Sequence, residues 1–228
     1  MKRNHFKRFA ALALSAVCGA ACLAGCGTQP TAATALETIQ QPKTGSYEDW
    51  ELIQQTRQEN PVSESTFTAL DHFAYTTAAQ VLGEDADGSY SPLSLYYALA
   101  LAATGAAGET QTQMLDLLGI SDPAQLSDQC AKLYRLLSRD NEVGTLRLAN
   151  SLWMDQRVDW KQSFVTQAAQ DFYAEVYQVD FTTDEAPKAM AQWVAQQTGG
   201  LLTPTFQPTD QQVLSLLNTV YFKDEWYD

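Results

Sequence analysis

Apolar positions recur at helical spacing along the first half of the chain. Between residues 65 and 137 they return every three or four residues, which predicts four helices with buried faces. The first predicted helix is capped by Ser63 or Ser65 and stops at Gly83. Its expected buried face comprises Phe67, Leu70, Phe73, Ala74, Thr77, Ala78 and Val81. The second helix, "SPLSLYYALALAATG", is apolar on almost every side and is therefore expected to be buried.

The second half of the chain shows strands alternating with helices. Alternating apolar and polar residues predict strands in "GTLRLANSLWMD" (144–155) and "AEVYQVDF" (174–181). A longer apolar run predicts a third strand in "QQVLSLLNTVYF" (211–222). Helical spacing predicts one helix between each pair of strands, at 160–173 and 184–200. This order predicts an α/β or α+β domain whose helices cross one sheet.

The N-terminus combines a basic head with a short apolar run. "MKRNHFKR" precedes the 16 residues "FAALALSAVCGAACLA", which fall short of the about 20 that span a bilayer and are typical of a secretory signal. The run closes on "LAGC" (23–26), which resembles the lipobox where bacterial lipoproteins are cleaved and acylated. We predict a signal peptide over residues 1–25, lipidation of Cys26, and a secreted, extracellular protein anchored to the outward face of a bacterial membrane. The alternative is an ordinary signal peptide with a coincidental cysteine.

The stretch after the signal is polar and lacks a helical or strand pattern. Residues 26–46 are rich in Thr, Gln, Ala and Pro without periodicity, which predicts a tether before a folded domain over residues 47–228. Residues 47–65 predict either a short helix or a strand, interrupted at Pro61. Removing residues 1–25 takes away four positive charges, so the formal net charge falls from −13 to −17. Because phosphate binding needs a basic face, this charge argues against nucleic acid as a partner.

The cysteines leave no material for an intrachain disulfide. Cys18 and Cys22 lie in the predicted signal, and Cys26 is the predicted lipid site. Cys130 then remains as a single thiol, at helical spacing with neighbouring leucines. We expect it to be a buried structural thiol rather than a reactive one.

Few residues are available for catalytic chemistry. His5 and His72 are the two histidines, which gives little basis for a metal site or a His-dependent triad. His72 is expected on the surface or in a groove. The chain has no G-x-S-x-G motif, and "GAAGET" lacks the lysine of a phosphate loop. We therefore predict a protein that is not an enzyme and that needs no metal or cofactor.

Five stretches between residues 91 and 226 carry motifs, and the resemblance that they support covers residues 64–228 almost without a gap. They are "SPLSLYYALALAATGAAGETQTQML" (91–114), "LRLANSLWMD" (146–155), "YAEVYQVDF" (173–181), "WVAQQTGGLL" (193–202) and "LLNTVYFKDEW" (216–226). In this order and spacing they resemble the first half of the fold of the serpin family of protease inhibitors. Asp224 departs from the pattern, because the family usually has glycine after the lysine in the last motif.

The resemblance implies an α+β, serpin-like fold, here incomplete, and a partner that is a serine or cysteine protease. A serpin inhibits when its cleaved reactive loop inserts as an extra strand into the central sheet. That loop is expected in the second half of the fold, so we expect the present chain to be truncated before it and unable to inhibit by itself. The alternatives are a non-inhibitory serpin-like protein or a ligand-binding surface lipoprotein of unrelated fold.

The resemblance also implies roles for four residues. Ser91, Ser94 and Asn218 match the shutter, where the sheet opens, and Trp226 matches the breach, where the loop first enters. The two serines could instead simply cap a helix, and the tryptophan could be ordinary core packing. A buried asparagine without partners costs about 1–3 kcal/mol, so we expect the serine hydroxyls to bond Asn218.

Overall fold

The computed structural model describes residues 33–37, 39–83 and 88–226. The predicted signal peptide and Cys26 lie outside these residues. The described helices are α1 (Trp50–Glu59), α2 (Glu64–Val81), α3 (Pro92–Gly105), α4 (Gly108–Leu118), α5 (Pro123–Leu137), α6 (Gln162–Asp171) and α7 (Glu185–Gln197). The described strands are β1 (Thr34–Ala35), β2 (Arg139–Asp140), β3 (Thr145–Asp155), β4 (Ala174–Val179) and β5 (Leu214–Lys223). The predicted order of helices and strands is therefore confirmed, and residues 50–59 form a helix rather than a strand.

Short polar side chains fix the starts of three helices. Ser63, Ser91 and Asp122 each accept a backbone N–H from the first turn of α2, α3 and α5. Gly119 ends α4 with a positive φ of 71°, and a Cβ at this position would lie 2.9 Å from the side chain of Ala69. Glycine is therefore required here for both its backbone conformation and its size.

The buried face of α2 differs from the predicted one. Phe67 and Val81 are 49% and 52% exposed. The buried residues of this helix are Thr66, Ala69, Phe73 and Thr77. The threonines tolerate burial because their hydroxyls are bonded: Thr66 donates to Gln129 at 3.1 Å, and Thr77 donates to a backbone carbonyl at 2.6 Å. Phe73 and Thr77 are therefore buried as predicted, and the difference from the predicted face lies in the burial of Thr66 and Ala69 and the exposure of the two ends.

β3 is the central strand of the described sheet. β4 runs parallel to it over Asn150–Asp155, and β5 runs antiparallel over Thr145–Met154. β2 pairs with the start of β3, and β1 pairs antiparallel with β4. Because β5 occupies one edge of β3 over nearly its full length, β2 and β4 share the other edge.

The two faces of β3 pack into two separate cores. Leu148 and Leu152 point into a large core shared with helices α2 to α6. Ala149 and Trp153 point to the opposite face, into a smaller core beneath α7. This division follows from the two-residue period of a strand with helices on both sides. It places β5 between the two helical layers.

Part of the segment predicted as a tether, residues 26–46, makes packed contacts. Within it, β1 pairs with Tyr177 and Gln178 of β4, and Ile39 packs against the large core. The cause is a tertiary contact: the outer edge of β4 provides backbone partners, and a few apolar residues in an otherwise polar stretch provide further contacts. Packed structure therefore begins before the predicted boundary at residue 47.

Candidate functional site

An asparagine pair lies at the centre of the sheet, where β5 crosses β3. Asn150 and Asn218 are direct partners in the antiparallel register. The Asn218 side-chain amide donates to Oδ1 of Asn150 at 2.6 Å, and the Asn150 amide donates to the carbonyl of Phe172 at 2.7 Å. These bonds connect β5, β3 and the turn between α6 and β4. They satisfy the Asn150 side chain, which is 4% exposed.

The same pair leaves a buried acceptor on β5. Oδ1 of Asn218 is buried and accepts no hydrogen bond from the described residues. The hydroxyl of the next residue, Thr219, is also buried without a described partner. Two neighbouring polar atoms without partners are unusual in a buried strand, because each costs about 1–3 kcal/mol if left unsatisfied.

Sequence reasoning missed Asn150 as the partner of Asn218. The expected partners were Ser91 and Ser94, but neither hydroxyl bonds Asn218 in the described part of the chain. Asn150 carried a usable signal, because it shares the inward-facing alternation of Leu148 and Leu152 within a strand that is otherwise buried. A polar residue at such a position needs a partner on the neighbouring strand.

Ser91 and Ser94 lie at the start of α3, the helix that packs against β5. Oγ of Ser91 accepts the backbone N–H of Ser94 at 3.3 Å, so the capping role considered for Ser91 is present. Ser91 is exposed and Ser94 is half-buried. Their shutter role stays a prediction.

Trp226 and Asp224 follow the end of β5. Trp226 is 96% exposed, so it makes no core packing among the described residues, and its breach role stays a prediction. Asp224, where the family usually has glycine, lies 3.8 Å from the guanidinium of Arg139. A Cβ on Gly144 would meet its carboxylate at 2.8 Å, so this departure is accommodated by a small residue opposite it.

An apolar cavity of about 430 Å³ lies beside Asn218 and Thr219. It is formed by the C-terminal end of α7, the loop that follows, and β5. Its remaining lining residues are Val194, Leu201, Leu202, Thr203, Pro204, Phe206 and Leu217. Asn218 and Thr219, which each carry a buried polar atom without a described partner, therefore border the same cavity.

An ion pair between a buried carboxylate and an exposed guanidinium holds the loop that enters β5. Asp155 ends β3 with a buried carboxylate, which accepts from Nε and an Nη of Arg157 at 2.7 and 2.8 Å. Arg157 also donates to the carbonyl of Asp210 at 3.1 Å. The hydrogen bonds from Arg157 lower the pKa of Asp155 below its ordinary value. The pair thus links the end of β3 to the segment preceding β5.

Cys130 and His72 lie where the sequence predicts. Cys130 is 2% exposed and free, and burial raises the pKa of its thiol well above the ordinary value. A thiol protonated in this way is a poor nucleophile, which confirms the prediction of a buried structural residue. His72 is exposed on α2.

Two further properties concern metals and membranes. The described residues include no group of three or more His, Cys, Asp or Glu side chains that could hold a metal ion. Among the described helices, none combines the length and apolar character needed to cross a bilayer.

Comparison with known families gives the class of protein. A sequence profile described as "Serpin (serine protease inhibitor)" matches residues 68–228, which is more than half of the chain and includes β3, β4 and β5. The protein belongs to the serpin family. This confirms the resemblance and the α+β fold class, and it removes the alternative of an unrelated ligand-binding lipoprotein.

The matches to individual relatives cover only part of each relative's length. Serpin B6 of Macaca fascicularis is 31% identical over 157 residues, which cover 64% of this chain and 42% of that protein. Alpha-1-antiproteinase 2 of Equus caballus is 27% identical over 212 residues, which cover 90% and 46%. The chain thus spans less than half the length of these relatives. Both are animal proteins, so a bacterial origin stays a prediction.

Solved structures agree in fold. Tengpin, a thermophilic serpin in its latent state, superposes with a TM-score of 0.68 and 24% identity, covering 72% of this chain and 45% of tengpin. Ovalbumin from the emu, Dromaius novaehollandiae, superposes with a TM-score of 0.66 and 20% identity, covering 72% and 48%. At these identities the likeness concerns the fold, including the incomplete form predicted from the sequence.

Proposed function

We propose that this protein is a serpin-type inhibitor of serine or cysteine proteases, which acts when a reactive loop inserts as a strand beside β5. The observation that carries the proposal is the state of β5. Among the described residues it pairs with β3 on one edge, and its other edge has no strand partner. An unpaired edge next to a buried acceptor on Asn218 suits the addition of a strand.

The residues near this edge have distinct parts in the proposal. Asn218 and Asn150 hold β5 to β3, so that β5 stays in place while its other edge receives a new strand. Ser91 and Ser94 start the helix behind β5, at the shutter, and Trp226 marks the breach beyond its end. The motif matches and the contact of α3 with β5 support these roles.

The target protease and its specificity belong to a part of the family fold that these residues do not match. The profile match and the relatives cover the first half of a serpin. By the resemblance, the reactive loop is in the other half. We therefore propose that inhibition belongs to a longer chain and that the 228 residues do not inhibit by themselves.

The test is to sequence the DNA after codon 228 and to express both the complete reading frame and the 228-residue chain. Each product is incubated with trypsin-, chymotrypsin- and subtilisin-like proteases, and the enzyme activity is followed over time. We expect slow loss of activity and a covalent complex that survives SDS with the longer product alone. A longer product that is cleaved without trapping any protease would favour the non-inhibitory serpin. A stop codon directly after residue 228 would overturn the proposal.

We also propose that the mature protein carries a lipid on Cys26 and sits on the outward face of a bacterial membrane. The basic head, the apolar run and "LAGC" in this order support it. Mass spectrometry of the N-terminal peptide should find an acylated Cys26, and Cys26→Ser should release the protein from the membrane fraction. An unmodified cysteine would overturn this part and leave the inhibitor proposal unaffected.

A further inference from the structure

The N-terminal segment makes more contacts than a tether needs. We name residues 33–37 and 39–41 the N-terminal clasp. Its first part, β1, pairs antiparallel with β4, with Thr34 opposite Gln178 and Ala35 opposite Tyr177. The backbone N–H of Leu36 then donates to the carbonyl of Val176 at 2.8 Å. The clasp thus occupies the backbone of β4 over residues 176–178.

Side chains fasten the clasp to two helices. Oε1 of Glu37 accepts from the side-chain amide of Gln162 at 2.8 Å, at the start of α6. Oε1 of Gln41 lies 3.0 Å from the hydroxyl of Tyr134, near the end of α5. Ala33 packs on the small core and Ile39 on the large one. The clasp is therefore held at several separate points along the sheet edge.

The strand beneath the clasp has the character of one that would pair with another chain. Its sequence, "AEVYQV", is rich in β-branched and aromatic residues and contains no proline or lysine. Ala174, Val176, Tyr177 and Val179 are each at most 3% exposed. The single charge, on Glu175, is already bonded by the hydroxyl of Tyr177 and by Gln197. β4 therefore lacks the features that usually protect an edge strand.

We propose that the clasp closes the outer edge of β4 against pairing with β4 of a second copy of this chain. A strand that pairs antiparallel with its own copy forms a two-fold interface, so the product is a closed dimer. The clasp occupies the backbone groups that such a dimer would use. This inference is independent of the proposed inhibitory function, because it concerns the opposite edge of the sheet from β5.

The test uses the full chain with Leu36→Pro, which removes the N–H that bonds Val176 and prevents regular pairing at that residue. The matched control is Lys43→Pro, because Lys43 is exposed and makes no hydrogen bond among the described residues. Leu36→Ala keeps the backbone hydrogen bond, so it distinguishes the effect of losing the side chain from the effect of losing the amide N–H. Sedimentation velocity measures the dimer, and hydrogen exchange locates it on β4 or β5.

In the monomeric Leu36→Pro variant we expect the β4 amides that face the clasp to exchange with solvent at least about tenfold faster than in the parent protein. We also expect this variant to dimerise, and residues 174–179 to be protected again in the dimer. Lys43→Pro and Leu36→Ala should stay close to the parent. A peptide of residues 33–44 added in excess should restore the monomer. Dimers protected on β5 instead, or a Leu36→Pro variant that stays monomeric, would overturn the proposal.

A measurement on the unsubstituted chain covers the case in which Leu36→Pro does not fold. The clasp predicts that the amide of Gln178, which lies on the same side of β4 as Val176 and faces the clasp, is as protected from exchange as the central strand β3. If this amide exchanges as fast as exposed loop amides, the clasp does not close this edge in solution and the proposal fails.

Discussion

The two edges of the sheet differ in what covers them. The outer edge of β4 is covered by the N-terminal clasp, through backbone pairing and contacts with both cores. The outer edge of β5 has no strand partner among the described residues, and Phe222 near its end is 66% exposed. An edge that is covered by a distant segment of the same chain serves stability, whereas an edge left accessible is suited to receiving a strand. The contrast therefore separates a structural border from a functional one.

The seams behind the two edges also differ. β4 joins β3 through a six-residue parallel ladder that combines apolar pairs such as Leu152–Val176 with polar residues such as Ser151 and Glu175. β5 joins β3 through a longer antiparallel ladder that includes the Asn150–Asn218 pair. Apolar packing tolerates small shifts, but a buried amide pair fixes one register, because a slip of β5 would leave the Asn218 amide and Oδ1 of Asn150 without each other. β5 is thus held in a defined register although its outer edge has no strand partner among the described residues.

The largest expected effect follows from breaking the β5 seam with Asn150→Ala. This change leaves the Asn218 amide and the carbonyl of Phe172 without their partner, which should lower the free energy of unfolding by about 3 kcal/mol. Urea denaturation of the full chain measures the loss. Gln170→Ala, an exposed amide on α6, is the control and should change stability by less than about 0.5 kcal/mol. A loss below about 1 kcal/mol for Asn150→Ala would mean that the pair does not hold the seam.

The next effect concerns the ion pair that fixes the entry to β5. Asp155→Asn should cost about 1–2 kcal/mol at pH 7, since the buried carboxylate accepts charged hydrogen bonds from Arg157. The pKa of Asp155 is lowered in the folded state, so its contribution is fully present above the unfolded pKa of about 4 and is lost as pH falls through the folded value. The difference between parent and variant should therefore shrink between pH 7 and pH 3.

Asp159→Asn is the control for this pH dependence, because Asp159 is exposed and makes no described hydrogen bond. Its stability should follow the parent at every pH. Urea denaturation across the pH range measures all three proteins. A gap between parent and Asp155→Asn that widens on acidification would contradict the assigned direction of the pKa shift.

The positions of most helices and strands could be predicted from the sequence. The strands and helices of the second half follow from apolar periodicity, and the start of α3 follows from Ser91 before Pro92. These predictions succeed because local patterns decide them. The sequence also indicated that Asn218 needs a partner, yet the identity of that partner depends on strand register, which no local pattern specifies.

The clasp shows why the remainder was not predictable. Residues 33–41 have the composition of a linker, and their structure depends on backbone groups of β4, which lie about 140 positions later in the chain. The true face of α2 was hidden for a related reason: Thr66 is buried only because Gln129 of α5 bonds its hydroxyl. In both cases tertiary partners determine the outcome.

A smaller effect sharpens the assignment of Ser91, which is a helix cap and a predicted shutter residue. Ser91→Ala should cost about 1 kcal/mol through loss of the cap, and Ser91→Asp should recover it because aspartate caps equally well. Ser94→Ala is the control for the stability measurement alone, since the Ser94 hydroxyl makes no described hydrogen bond and caps no helix. Thermal denaturation measures the cap, and protease trapping by the longer product measures the shutter. Rescue of stability by Ser91→Asp without rescue of trapping would show that the two roles are separable.

The smallest effect is expected at Trp226, beyond the open edge. Trp226→Phe should change the stability of the 228-residue chain by less than about 0.5 kcal/mol, because the side chain is 96% exposed. Trp153→Phe is the matched comparison: that indole is fully buried, donates to Ser151 and stacks on Tyr177, so its loss should cost about 2 kcal/mol. In the longer product, a breach role requires Trp226→Phe to alter the rate of protease trapping. A variant that leaves both stability and trapping unchanged would remove Trp226 from the functional edge.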